Sequence, residues 1–147
     1  MKLDPDCVRD LMLFCEEHTY IKTEEIGKYT AARYHVLYVD SMRLIQPLNK
    51  YDVGSLIYHI IQLSESGYLA TDFRFDPVEN FRHNELPAIY YVTPKGHEFI
   101  ATISEKAQWE KTSKILRSFG SVSLAVIETI SKGIASAAIE QIIARKA

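Results

Sequence analysis

A chain of 147 residues is long enough to bury a full hydrophobic core without disulfide or metal staples. Its 47% hydrophobic and 24% charged residues exclude a mainly disordered chain. With 17 Lys and Arg against 19 Asp and Glu, the formal net charge of -2 supplies no global attraction to nucleic acid or to an anionic membrane.

The chain opens Met-Lys-Leu-Asp-Pro-Asp, with charge where a signal peptide needs an apolar run, and no stretch is apolar for the roughly 20 residues a bilayer demands. A cytoplasmic protein without a membrane span is expected. Asp4, Pro5 and Asp6 read as a helix start: a capping oxygen, a residue suited to the first turn, and a carboxylate at the positive end of the dipole. Val8, Leu11, Met12 and Cys15 then recur at helical spacing, so one face of this helix is core. Cys7 and Cys15 both fall on it, about 12 Å apart along its axis and beyond disulfide reach, and read as buried thiols.

Between Thr19 and Arg33 the periodicity weakens, and the segment reads as a connection with some helix around Thr23 to Ile26. Val36 to Val39 is β-branched and aromatic, hence a short strand. Asp40 and Ser41 then cap a helix carrying Met42, Leu44 and Ile45 that stops near Gln46-Pro47. After a polar turn, Asp52 caps a longer helix with Val53, Leu56, Ile60 and Leu63 at core spacing, closed by Gly67 in the left-handed conformation. Tyr68 to Thr71 and Ile89 to Val92 read as two strands of a hairpin with a long polar tip from Arg74 to Asn84. Thr93-Pro94 opens another helix with Phe99, Ile100, Ile103 and Ala107 on one side. Following a break at Gly120, a last amphipathic helix carries Leu124, Ile127, Ile130, Ile134 and Ala138 opposite Glu128, Lys132 and Glu140.

Helix, strand, short helix, tight turn, longer helix and hairpin is the order of a winged helix-turn-helix, in which neither short helix can bury its apolar stripe alone. The expected class is α+β, mainly α: a winged helix-turn-helix domain over 1–104, with its core at 36–104, and a C-terminal helical extension over 105–147. The segments "MKLDPDCVRDLMLFCEE", "YDVGSLIYHIIQLSESGYL" and "TPKGHEFIATISEKAQWEKT" resemble a domain-of-unknown-function family of small phage and prophage-associated bacterial proteins. The resemblance implies a mobile-element origin and a winged-helix fold, and brings no catalytic residues with it.

On the expected recognition helix the core stripe leaves Ser55, Tyr58, His59 and Gln62 facing outward, types that reach base edges or phosphates in a major groove. Packing against the wing or the first helix is the alternative for Tyr58 and His59. Lys50, Arg74, Arg82 and His83 are the candidate phosphate contacts beside them. Charge opposes this reading, because residues 36–104 hold five basic against eight acidic side chains. Lys106, Lys111, Lys114 and Arg117 offer a second basic surface, which a solvated helix face explains equally.

Cys15 and His18 are three residues apart on a helix, with His35 as a possible third ligand, yet the four paired ligands of structural zinc are missing and no metal is expected. No phosphate-cradling glycine loop or nucleophile elbow is present, His59 and His97 form no catalytic motif, and Gly96 and His97 read as helix-packing and surface positions. The chain is expected to be a non-enzyme without a cofactor. Trp109 is either a contact surface or an anchor of its own helix. The small-residue side of the last helix points to a homodimer through Leu124, Ile127, Ile130, Ile134 and Ala138, with folding back onto the first helix as the alternative. Two functions follow: a DNA-binding regulator on double-stranded DNA, or a protein-interaction module that engages or inhibits a host or phage protein.

Overall fold

The structure, a computed structural model, describes residues 1–72 and 76–146. α1 (Pro5–His18) begins where expected, with the Asp4 carboxylate accepting from the Asp6 N–H, and it buries Cys7, Val8, Leu11, Met12, Phe14 and Cys15. α3 (Val53–Glu65) is likewise capped by Asp52, whose side chain accepts from the Ser55 N–H. Gly67 closes it with φ +84°, a backbone conformation that costs glycine little and other residues more. Thr93 caps α5 (Pro94–Ile103) by accepting from the Gly96 N–H and also donates its own hydroxyl hydrogen to the Gly67 carbonyl. That pair of bonds ties the end of α3 to the start of α5.

The segment read as a connection is a β-hairpin. β1 (Ile21–Ile26) and β2 (Tyr29–Tyr34) pair antiparallel from Ile21 opposite Tyr34 to Ile26 opposite Tyr29, which leaves Gly27-Lys28 as a two-residue turn. Gly27 has φ +62°, the positive value a tight hairpin turn needs at its first central position. Every residue of both strands is exposed.

Further along, β3 (Leu37–Tyr38) is shorter than expected, and Val39 already belongs to α2 (Val39–Met42). This helix is a single turn that ends at Met42, so Leu44 and Ile45, expected on its core side, stand exposed beyond it. A 3-10 turn, Leu48–Lys50, precedes α3. Val53, also expected in the core, is exposed at the first position of α3, where a helix residue still lies ahead of the packed turns.

β4 (Leu69–Thr71), β5 (Ala88–Val92) and β3 make an antiparallel sheet in the order β3-β5-β4. The tip between β4 and β5 is not simply polar loop: α4 (Pro77–Arg82) forms within it, capped by Asp76, which accepts from the Val78 and Glu79 N–H groups.

α5 ends at Ile103, and α6 (Lys106–Leu116) follows as a separate helix, which puts Ala107 on the exposed side of that second helix instead of the core side of α5. One buried cluster joins α1, α2, α3, the sheet, α5, α6 and the start of α7 (Leu124–Lys146). Trp109 anchors α6 to α1: its ring is buried and its Nε1–H donates to the Asp6 carboxylate at 3.2 Å, with the Arg9 guanidinium 5.7 Å from the ring centre. Gly96 is a close-approach position, since a Cβ there would meet the Tyr68 carbonyl oxygen at 2.2 Å. Among the described residues no helix is long and apolar enough to cross a membrane.

Candidate functional site

The face built by α3 and the β4–β5 tip holds most of the expected DNA contacts. Ser55, Tyr58 and Gln62 are half-buried on α3. His59 does not face outward. Its imidazole is 1% exposed, its Nε2 accepts from the Asp4 N–H at 2.8 Å, and its Nδ1 lies 2.7 Å from the Ser55 carbonyl oxygen. A backbone N–H only donates and a carbonyl only accepts, so the ring holds its proton on Nδ1 and both nitrogens are used within the fold. His59 locks the start of α1 to α3 and is not available to a ligand.

Among the described residues, the expected cations Lys50, Arg82 and His83 each lie beside a carboxylate. Lys50 Nζ lies 3.0 Å from the Asp10 carboxylate, which also accepts from the Tyr51 hydroxyl at 2.6 Å. Burial and that bond to Asp10 push the Tyr51 phenol well above its ordinary range. Arg82 and His83 both approach Glu79, at 3.7 and 3.3 Å. Arg74 lies outside the described residues. Over residues 52–86 the sequence has two basic against six acidic side chains, so this face carries little that would neutralise phosphate.

What the face does present is an apolar groove of about 440 Å³, lined by Ile57, Tyr58 and Ile61 of α3 with Phe81 and Leu86 from the β4–β5 tip. Ile57 and Ile61 are one helical turn apart, beside the Leu56, Ile60 and Leu63 stripe. α3 is therefore apolar over more than the one face its core requires, and that width was the signal in the sequence for this groove.

The remaining candidates separate in space. Cys15 is fully buried, and burial pushes its thiol up to about 12. His18 packs on the Phe14 ring, with centroids 4.1 Å apart, and His35 stacks on Tyr20 at 4.6 Å. Among the described residues no three His, Cys, Asp or Glu side chains gather as a metal site. His97 is at the surface with Nδ1 3.6 Å from Glu16, while Lys106, Lys111, Lys114 and Arg117 are exposed along α6.

Of the residues expected to form a dimer contact, Leu124 and Ile127 are buried in the chain's own core, and Ile130, Ile134 and Ala138 are half-buried. α7 is held there by further contacts: Tyr68 donates its hydroxyl hydrogen to Glu128, and Thr102 bonds to the buried Ser131 at 2.9 Å. The Tyr68 hydroxyl is the main cause of a lowered Glu128 pKa, with Lys132 adding to it at 3.0 Å. Beyond these contacts α7 continues with Ile139, Ile142 and Ile143 exposed.

No curated protein and no solved structure matches the chain. A family model described as "Hypothetical protein (DUF2513)" matches residues 2–123, from the residue after Met1 to the one before α7. That match spans the α1 helix, the hairpin, the sheet and the α3 groove together, and the chain belongs to the DUF2513 family.

Proposed function

We propose that α1 through β5 form a winged helix-turn-helix used as a non-enzymatic protein-interaction module, of the phage and prophage kind that the sequence resembles, and that the occupant of its α3 groove is the α7 tail of a second copy. The placement of α2 and α3 between β3 and β4, with the sheet order β3-β5-β4, supports the winged-helix reading. The observation that carries the function is the α3 groove: an apolar strip where a DNA reader would present polar side chains, set in a segment with six acidic and two basic residues.

The tail of α7 has the complementary chemistry. Ile139, Ile142 and Ile143 sit at the i, i+3, i+4 spacing by which a helix anchors in an apolar groove, and Arg145 and Lys146 follow them. Reciprocal exchange of tails between two copies gives a closed dimer, whereas exchange in one direction gives an open chain.

Light scattering on the full chain at tens of micromolar tests this. A dimer is expected, with Ile61→Glu in the groove and Ile142→Glu in the tail each returning the protein to a monomer. Mixing the two variants restores one intact groove-tail pair and hence a heterodimer. Ile142 is exposed, so its variant folds regardless. A wild-type monomer at every concentration, or a dimer indifferent to both variants, overturns the proposal.

A second reading, a regulator on double-stranded DNA, draws on the half-exposed Ser55, Tyr58 and Gln62 of α3. It requires duplex retardation in a low-salt gel that weakens with added salt and with Gln62→Ala. A free duplex under those conditions removes it.

A further inference from the structure

The β1–β2 hairpin leaves the body after α1 and returns into β3, its base closed by the His35 N–H donating to the Tyr20 carbonyl at 2.9 Å. Beneath it, between the end of α1 and α2, lies a cleft of about 540 Å³, within the range of cavities that hold small molecules. Four of its lining residues, His18, Lys22, Arg33 and His35, are basic, and none of the lining residues is Asp or Glu.

Lys22 and Arg33 are direct cross-strand partners and share one face of the hairpin. Like charges in that arrangement, with Cβ atoms about 5 Å apart, weaken a strand pair. Among the described residues no ion pair of either side chain offsets the repulsion. An anion seated between them does. Two cations at that spacing suit a single phosphate group, to which Arg offers a planar fork and Lys a point charge.

The rest of the cleft is aromatic and apolar. Its floor is Phe14, Leu37 and Met42, all buried, and Tyr34 and Tyr38 stand exposed at its walls. Such surfaces stack on a planar ring, an interaction worth roughly 1–3 kcal/mol per base when the ring is a nucleobase. An aliphatic anion would use the cations alone.

We propose that the cleft under the hairpin binds a nucleoside phosphate, with Lys22 and Arg33 on the phosphate and the tyrosine-walled apolar floor on the base. The same chemistry is offered by a free mononucleotide and by a terminal nucleotide of a single strand. The site is separate from the α3 groove, so it does not depend on what occupies that groove.

Calorimetric titration of the full chain with AMP, CMP, GMP and UMP, with adenosine, with inorganic phosphate, and with a 5′-phosphorylated oligothymidylate tests it. At least one mononucleotide binds, and both adenosine and inorganic phosphate bind at least tenfold more weakly than AMP. Lys22→Glu and Arg33→Glu each weaken nucleotide binding at least tenfold, and Lys111→Glu on α6 leaves it unchanged. Both hairpin side chains are exposed, so these variants keep the fold. Tighter binding of the oligonucleotide than of any mononucleotide assigns the site to a strand end, and equal or weaker binding assigns it to the free nucleotide. No binding of mononucleotide or oligonucleotide at millimolar concentration overturns the proposal, as does binding indifferent to Lys22 and Arg33.

Discussion

Ile127 and Ile142 stand on the same helix, and Tyr68 and Tyr29 are the same residue type, yet their surroundings are opposite. Ile127 and Tyr68 are 0% and 1% exposed in the body of the molecule, and Ile142 and Tyr29 are 52% and 80% exposed on the α7 tail and the hairpin turn. Polar groups divide in the same way. In the body, His59, Asp10, Glu128 and the Trp109 indole each bond to the chain itself. On the hairpin, Lys22 and Arg33 face each other, and among the described residues neither makes an ion pair. The core is complete without these projections, whose apolar side chains stand exposed to water. The comparison predicts that substitutions of fully buried residues in the body cost stability and leave binding alone, and that substitutions in the projections do the reverse.

The largest effect should come at Trp109. Truncation to alanine removes a buried aromatic ring and its bond to Asp6, the kind of change that costs about 3–5 kcal/mol. Because Trp109 joins α6 to α1, thermal unfolding of the variant should show one transition at a markedly lower Tm. An early, separate melting of α6 and α7 with the remainder unchanged would mean that the body ends before α6.

The body was the legible part of the sequence, because its signals are local. Asp4, Asp52 and Thr93 are capping residues in the expected places, Gly67 is the expected helix stop, and the α1 stripe is buried throughout. Of the two positions open to His59, outward or packed on the first helix, the structure takes the second, and its spacing agrees: it lies three residues after Leu56 and four before Leu63, on the core stripe. The hairpin was missed because Gly-Lys is a weaker turn signal than Asn-Gly, and because Glu24, Glu25, Ala31 and Ala32 dilute the β-branched and aromatic residues around them.

Candidate contacts were harder to read. The Lys50–Asp10 pair is set by tertiary packing across forty positions, so no local spacing announces it. The Glu79 pairs with Arg82 and His83, by contrast, are one helical turn apart and would have been visible had α4 been recognised in the wing. Leu124 and Ile127 show a different limit. An apolar helical stripe reads the same whether its own chain or another covers it, and only the tertiary fold reveals where the cover ends along α7.

A smaller effect comes from alkaline pH and also tests the body. Burial, with a contribution from the Asp4 charge, pushes the Cys7 thiol from 9.0 up to about 12, and burial does the same for Cys15. Between those values the folded chain keeps protons that the unfolded chain has lost. This contribution to stability is therefore fully present below pH 9.0 and declines as the pH rises toward about 12. The Tyr51 and Tyr68 phenols, raised by burial and by their bonds to Asp10 and Glu128, add a loss of the same sign at higher pH. The urea midpoint should be lower at about pH 10.5 than at about pH 8. A midpoint that holds or rises would mean that the two thiols are not sealed from water.

The smallest effect is expected on the hairpin. Tyr29 is 80% exposed and pairs with Ile26, itself 59% exposed, so a Tyr29→Thr substitution removes little buried area and puts another residue of good strand propensity in its place. Its cost should fall within about 0.5 kcal/mol, the range of surface changes that touch no cap, core or network. The two strands are joined to each other and exposed along their length, with Tyr34 at the base stacking on Tyr91, and a two-stranded hairpin is of marginal stability by itself. Amide exchange should therefore show the hairpin protected far less than α1 or α3, in wild type and variant alike. Protection of β1 and β2 equal to that of α1 would place the hairpin in the cooperative body and erase the contrast between the two regions. Protection that appears only on adding a mononucleotide would tie the ordering of the hairpin to the cleft beneath it.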